Sequence, residues 1–282
     1  MGHSVALVLL EDGFRVVTTL VGRSERTRRL CASAKIMALD SMLAVVDQAD
    51  IILSVVPPAS VKSVAADFAK TVSHSSRKPL FVDCNAESPM TAQEVGEIID
   101  GAKAPYLDAC IIGPAREVRH QCTFYVSGPN AHMFEERLGR SLQTHILGDR
   151  IGQASAFKMT FAGLNKGLAA LLFELTVAAQ EFSFLDELLG LYTALLPGVM
   201  QALEQLVPTY PFHAGRRADE MVELAEMLEY YGYSSVMARA TQNILAAVGR
   251  LKLTERYPEH GEQSWTMRDV LEALTREGAL KR

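Results

Sequence analysis

Residues 51–89, IILSVVPPASVKSVAADFAKTVSHSSRKPLFVDCNAESP, decide the fold. IILSVVPP (51–58) is a short, continuous apolar run that ends in two prolines, as a strand buried on both faces does. Residues 59–72 space their apolar positions for a helix. PLFVDCN (79–85) is a second buried strand that closes on polar residues. Ser88 then stands as a helix N-cap, Pro89 takes the first helical position, and Gly101 falls past the end. Strand, helix, strand and helix in that order predict βαβ connections and parallel pairing.

The pattern extends both ways. Upstream lie a helix over 3–11, a turn at Asp12-Gly13, a strand in FRVVTTL (14–20) and a helix over 24–34. Downstream, APYLDACIIGP (104–114) reads as strand then loop, and CTFYVSG (122–128) and THILG (144–148) flank a helix over 130–139. This alternation predicts an α/β fold with a mostly parallel, doubly wound sheet. Near residue 150 the pattern changes. Residues 152–182 carry Ala, Leu, Met and Phe at helical spacing, and the remainder is helical in character, broken by Pro197, Pro208, Pro211 and Pro258. The expected domains are therefore 1–150, α/β, and 151–282, all-helical. The long helix has small residues on several faces, which predicts burial on most sides.

The chain has 282 residues, 49% hydrophobic and 22% charged, enough for one long or two ordinary domains. A net charge of −5 with scattered Lys and Arg argues against nucleic acid as a partner. No apolar run looks like the ~18 residues of a membrane span, and no signal peptide is recognisable, so no membrane partner is expected. Four cysteines without a CxxC pair suit reduced thiols of a cytoplasmic protein and no metal site.

In doubly wound sheets, ligands bind beyond the carboxyl ends of the strands. Where NAD-binding folds carry an acidic residue, this sequence has LVGRS, with Arg23 and Ser24. A cation and a hydroxyl there suit a 2′-phosphate, which favours NADP over NAD. The plainer alternative is solvated arginines, since Arg26, Arg28 and Arg29 follow. Val56 and Pro57 are placed to line a nicotinamide, and Asn85 offers a donor and an acceptor to its carboxamide or to a substrate. Lys158, in GQASAFKMTFAGLNKG (152–167), sits among apolar residues. Burial there would suit a general acid/base, whereas snorkelling would leave it a surface lysine. His213, Arg216 and Arg217 fall within about one helical turn and could bind an anionic group, unless Asp219 and Glu220 neutralise them locally.

The ordered set SVVPP, DCNAESP, YLDACIIGP, YVSGP and GQASAFKMTFAGLNKG resembles the 6-phosphogluconate dehydrogenase-like, or β-hydroxyacid dehydrogenase, superfamily along the whole chain. The resemblance implies a Rossmann domain followed by a helical domain. It also implies oxidation of β-hydroxyacids, or reduction of the matching carbonyls, with NAD or NADP. It puts Lys158 on the catalytic lysine of a Lys-x-x-x-Asn pattern, and Asp108 and Gly113 on an Asp-Ala-Pro-Val-Ser-Gly-Gly substrate loop. Asn85 falls near a polar residue beside the nicotinamide, and Arg23 and Ser24 fall on the turn of NADP-using members. Gly2 matches the last glycine of Gly-x-Gly-x-x-Gly; the first strand and the other two glycines would precede Met1. Without that strand, its two neighbours are expected to pair directly or to leave a slot.

The sequence departs from the pattern at three places. The Asn of the lysine motif is Ala162, with Asn165 one turn further on the same face, and the substrate loop has Ile112 and Pro114 for its Ser and second Gly. The expected pocket is less polar than a sugar-acid site. The implied protein is an NADP-dependent, homodimeric oxidoreductase acting on a small anionic substrate. The alternatives are a dimeric binding or regulatory relative without catalysis, and an imine or carbonyl reductase on the same scaffold.

Overall fold

Serine side chains start three of the early helices: Ser24, Ser41 and Ser88 each accept a backbone N–H of the following turn. In the computed structural model, which describes residues 1–261 and 264–280, strands and helices alternate up to residue 148. The order is α1 (Gly2–Glu11), β1 (Val17–Thr19), α2 (Glu25–Ser33), β2 (Met37–Leu39), α3 (Met42–Val46), β3 (Ile51–Ser54), α4 (Val61–Ser73) and β4 (Leu80–Asp83). It continues with α5 (Pro89–Gly101), β5 (Tyr106–Ile112), α6 (Val118–Gln121), β6 (Thr123–Ser127), α7 (Ala131–Leu138) and β7 (Thr144–Gly148).

The strands form two sheets. One has the order β3-β4-β5-β6-β7, parallel throughout except between β5 and β6; the other pairs β1 with β2 in parallel. β1 and β3 do not pair directly. β3 is therefore half-buried over Ile51–Leu53 rather than enclosed on both faces, as IILSVVPP predicts, because β4 is the one strand bonded to it. The sequence pattern also passes over β2, α3 and α6, which are too short to show a period. Both faces of the larger sheet are covered. Leu80 and Val82 point into a core with Val5 and Leu9 of α1 and Phe134 of α7; Phe81 points the other way, to Phe68 of α4 and Ile99 of α5.

The second region is helical throughout the described residues: α8 (Gln153–Glu181), α9 (Leu185–Leu195), α10 (Pro197–Leu206), α11 (Tyr210–Tyr230), α12 (Val236–Arg250), α13 (Leu253–Arg256) and α14 (Met267–Arg276). α11 and α12 cross closely: a Cβ on Gly249 would lie 3.0 Å from the Gly215 backbone nitrogen. Gly163 of α8 makes room for the Leu224 side chain of α11. Phe173 of α8 meets the Tyr210 ring edge-on, with centroids 5.0 Å apart.

The chain divides into compact units after Met159, nine residues past the expected boundary, because the first turn of α8 is bonded to the sheet. Two expectations about α8 need correction. α8 is long and apolar enough to cross a membrane by length and composition, a test that core helices of soluble proteins also pass. Nor is it buried on most sides: Phe161, Leu164, Leu171, Leu175 and Phe182 are all exposed.

Candidate active site

The register of the larger sheet lines up one polar row. Ser54 pairs with Asp83, Asp83 with Asp108, Asp108 with Ser127, and Ser127 with Gly148. The four side chains of this row are buried. Polar groups in such a place need partners. Asp108, 0% exposed, finds them at the start of α8. Its Oδ2 accepts from the backbone N–H groups of Gly152 (2.9 Å), Ala154 (3.0 Å) and Ser155 (3.2 Å), and from Ser127 Oγ (2.9 Å). Its Oδ1 accepts from Ser155 Oγ at 2.7 Å. Burial raises the Asp108 pKa, and the hydrogen bonds from Ser155, Ser127 and Gly152 oppose that rise. The carboxyl thus caps α8 and ties it to β5 and β6. Both oxygens are engaged within the protein, so the structure gives Asp108 the work of a helix cap, where the family pattern implies a substrate contact.

Lys158 lies one turn further along α8. Its Nζ donates to the Ile111 carbonyl oxygen at 3.1 Å, three residues beyond Asp108 on β5. There β5 runs on past the polar row into Ile112, Gly113 and Pro114. Gly113 has φ +137°, and any Cβ on it would collide with the Gln121 carbonyl and the Cys122 backbone. Ile112 is half-buried, and Gly113 and Pro114 are exposed. Lys158, Ile112, Gly113 and Pro114 therefore form one neighbourhood around the end of β5.

Asn85 works differently from its sequence expectation. Its Oδ1 accepts the Val56 N–H at 2.7 Å, while Nδ2 donates to Ser54 Oγ at 3.1 Å and to Asp83 Oδ1. Both amide hydrogens are used. Asn85 thus positions the loop that carries Val56 and Pro57 instead of offering its donors to a ligand. Burial pushes the Asp83 carboxyl up to about 6, against hydrogen bonds from the buried Glu87 and from Asn85.

On the other sheet, the β1–α2 loop is fastened by Arg28, whose Nη2 donates to the Leu20 carbonyl at 2.7 Å and Nε to the Arg23 carbonyl at 3.3 Å. Ser24 Oγ is engaged as the cap of α2. The Arg23 side chain is half-exposed and Arg26 is exposed. Arg26 is felt at the start of α1: burial, the chain's terminal ammonium and Arg26 together lower the pKa of His3. Gly2 opens α1, but a Cβ there would meet Val55 at an ordinary 3.7 Å. Close packing does not require glycine at that position.

The helical unit holds the remaining candidates. His213, Arg216 and Arg217 lie on α11. Arg216 pairs with Glu220, whose other oxygen is 2.8 Å from Lys166 Nζ. Arg217 Nη2 donates to Thr209 Oγ1 at 2.7 Å, and its guanidinium lies 4.2 Å from the centre of the Tyr210 ring. Lys166 is buried and missed by the sequence pattern; burial lowers its pKa, opposed by Glu220. Asn165 is half-buried on α8.

Residues 1–139 match the NAD-binding domain of 6-phosphogluconate dehydrogenase, and residues 179–248 match a domain of unknown function, DUF1932. An uncharacterised 28.5 kDa protein of Methanothermus fervidus is 28% identical over 238 residues, covering 83% of this chain and 90% of that one. A conserved protein of unknown function, described as structurally similar to 3-hydroxyacid dehydrogenases, is 26% identical with a TM-score of 0.69, over 89% of this chain and 94% of its own. The 3-hydroxyisobutyrate dehydrogenase of Mycobacterium tuberculosis, solved with L-serine, shares the fold: TM-score 0.73 at 16% identity, over 97% and 95% of the two chains.

Proposed function

We propose that this chain, which carries a 6-phosphogluconate dehydrogenase-like NAD(P)-binding domain and a DUF1932 helical domain, is an NADP-dependent oxidoreductase. Its substrate class is a small, anionic β-hydroxyacid or the corresponding carbonyl compound, with Lys158 as general acid/base. One observation carries the reading. A lysine amine is held on the Ile111 carbonyl, on a helix whose start is locked to the sheet by a buried carboxylate.

The donor set suits an NADP-type coenzyme. No acidic side chain stands in the Gly22-Arg23-Ser24 turn after β1, and a cation at Arg23, with Arg26 in the first turn of α2, favours a 2′-phosphate over a free ribose hydroxyl. Asn85 fixes the loop of Val56 and Pro57, the residues that would line a nicotinamide. The coenzyme supplies hydride exchange. In oxidation Lys158 would take the substrate's hydroxyl proton, and in reduction it would return that proton to the carbonyl oxygen. Ile112 presents an apolar side chain where a hydroxyl would bind a polyol, so short hydroxyacids fit this site better than sugar acids.

Binding of NADPH and NADH, followed by nicotinamide fluorescence, tests the coenzyme. Tighter NADPH binding that Arg23→Ala weakens about tenfold, with NADH unaffected, is the expected result; failure to bind either coenzyme overturns it. A panel of 3-hydroxyacids then tests the reaction. Turnover confined to cyclic imines would move the assignment to imine reduction, and coenzyme binding without turnover of any kind would favour a regulatory relative.

A further inference from the structure

We infer that Glu87 is a positioning residue: its carboxyl shares one proton with Asp83 and thereby sets the Asn85 amide that holds Val56 and Pro57. Glu87 lies in the short connection from β4 to α5, directly before Ser88, the N-cap of α5. Acidic side chains are rarely buried without a partner. Glu87 is 4% exposed and Asp83 1%, and the two side chains hydrogen-bond to each other. Ionised carboxylates only accept, so that bond exists only while one of the pair keeps a proton. Asp83 Oδ1 is already used: it accepts from the Asn85 backbone N–H at 3.2 Å and from the Asn85 amide. Oδ2 is buried, and no other described residue donates to it.

The surroundings give the pair no counter-charge. After burial, the strongest influences on Asp83 come from Glu87, Asn85 and Asp108. On β5, Tyr106 faces Asp83, Asp108 and Glu87, and burial with these acids raises its phenol pKa. Burial likewise raises the Cys84 thiol; Lys158 of α8 acts on Cys84 and Cys110. Two ionised carboxylates side by side in such a place repel strongly. Loss of the shared proton therefore separates them. Asp83 is held in the sheet between β3 and β5, so Glu87, on the connection, is the one displaced toward water. Asn85 stands between the two in the chain. Moving Glu87 disturbs the Asn85 bonds to the Val56 N–H (2.7 Å) and to Ser54 Oγ (3.1 Å). The Val56-Pro57 loop is thus held firmly while the pair keeps its proton and less firmly as the pH rises past the Asp83 pKa of about 6. What the loop lines rests on the coenzyme reading above; the shared proton does not.

Two readouts test it. The first is hydrogen exchange of the Val56 amide in the coenzyme-free chain, corrected for the pH dependence of intrinsic exchange. In the parent its protection is expected to fall about fivefold or more from about pH 6 to about pH 8. Glu87→Gln, whose amide donates to Asp83 at every pH, should keep it constant, and Glu87→Ala should lack it throughout. The second is NADPH titration of the same three proteins. Over that interval the Kd should rise about tenfold in the parent, stay level in Glu87→Gln and be high throughout in Glu87→Ala. The coenzyme phosphates titrate alike for all three, so the differences report on the protein. A Glu87→Gln profile that follows the parent's overturns the inference, as does a folded Glu87→Ala with parent-like protection at both pH values. If Glu87→Ala does not fold, the parent and Glu87→Gln decide between them. Failure of all three to bind NADPH would overturn the coenzyme reading instead, and the exchange data would still decide on the shared proton.

Discussion

Asp108 and Lys158 are 50 positions apart in sequence yet form one device, because Asp108 fixes the turn from which Lys158 projects. Asp108→Ala would remove the acceptor of the Ser155 and Ser127 hydroxyls and of the Gly152 and Ser155 backbone N–H groups in a buried site, while the Ala154 N–H keeps Ser127 Oγ. The expected loss is about 3–5 kcal/mol in urea unfolding. Asp108→Asn, which keeps one acceptor oxygen, should lose about 1–3 kcal/mol. If both variants unfold like the parent, the cap has no structural weight. Lys158→Ala touches no such network. It should leave NADPH affinity within twofold and lower kcat by about 10²–10⁴. Gly113→Ala, with φ +137° and backbone in the way, should destabilise by about 3 kcal/mol, read as a fall in Tm. The chemical type of Lys158 was legible in the sequence as a lysine out of place among apolar residues. The role of Asp108 was not, because its partners are brought to it by sheet register and not by chain proximity.

At the scale of elements, β4 and its following loop carry a pH-dependent contact. Burial holds Asp83 at about 6, above the 3.8 of an unfolded chain. The folded state keeps a proton that the unfolded chain has released, so this contribution is full below pH ~4 and is lost as the pH rises to about 6. Asp83→Asn has no such proton. Its stability relative to the parent should improve by about 2–3 kcal/mol between pH 4 and 6 and level off above. Urea unfolding across that range checks it, and a pH-independent difference would contradict the raised pKa. Most elements were legible because each has its own period or its own cap, as α5 does with Ser88 and Pro89. β2 and α3 were not: three and five residues are too few for a pattern. The half-burial of β3 escaped for a different reason, since an apolar run reads the same at an edge as at the centre of a sheet.

For the whole molecule, a coenzyme that binds the folded chain alone must raise its stability. NADPH at 100-fold its Kd should add about 2.7 kcal/mol, and NADH at the same concentration less, a difference visible as a Tm shift. The sequence by itself determined the order of strands and helices, the change to an all-helical region near residue 150, and the types of residue at the strand ends. Those follow from local periodicity, capping and turn chemistry, which act over a few residues. Tertiary structure decided what each polar group does. It turned Asp108 into a helix cap and Asn85 into a loop tie, paired Lys166 with Glu220, and left one face of α8 open. Such outcomes depend on which distant groups burial brings within hydrogen-bonding distance, and no local pattern encodes that.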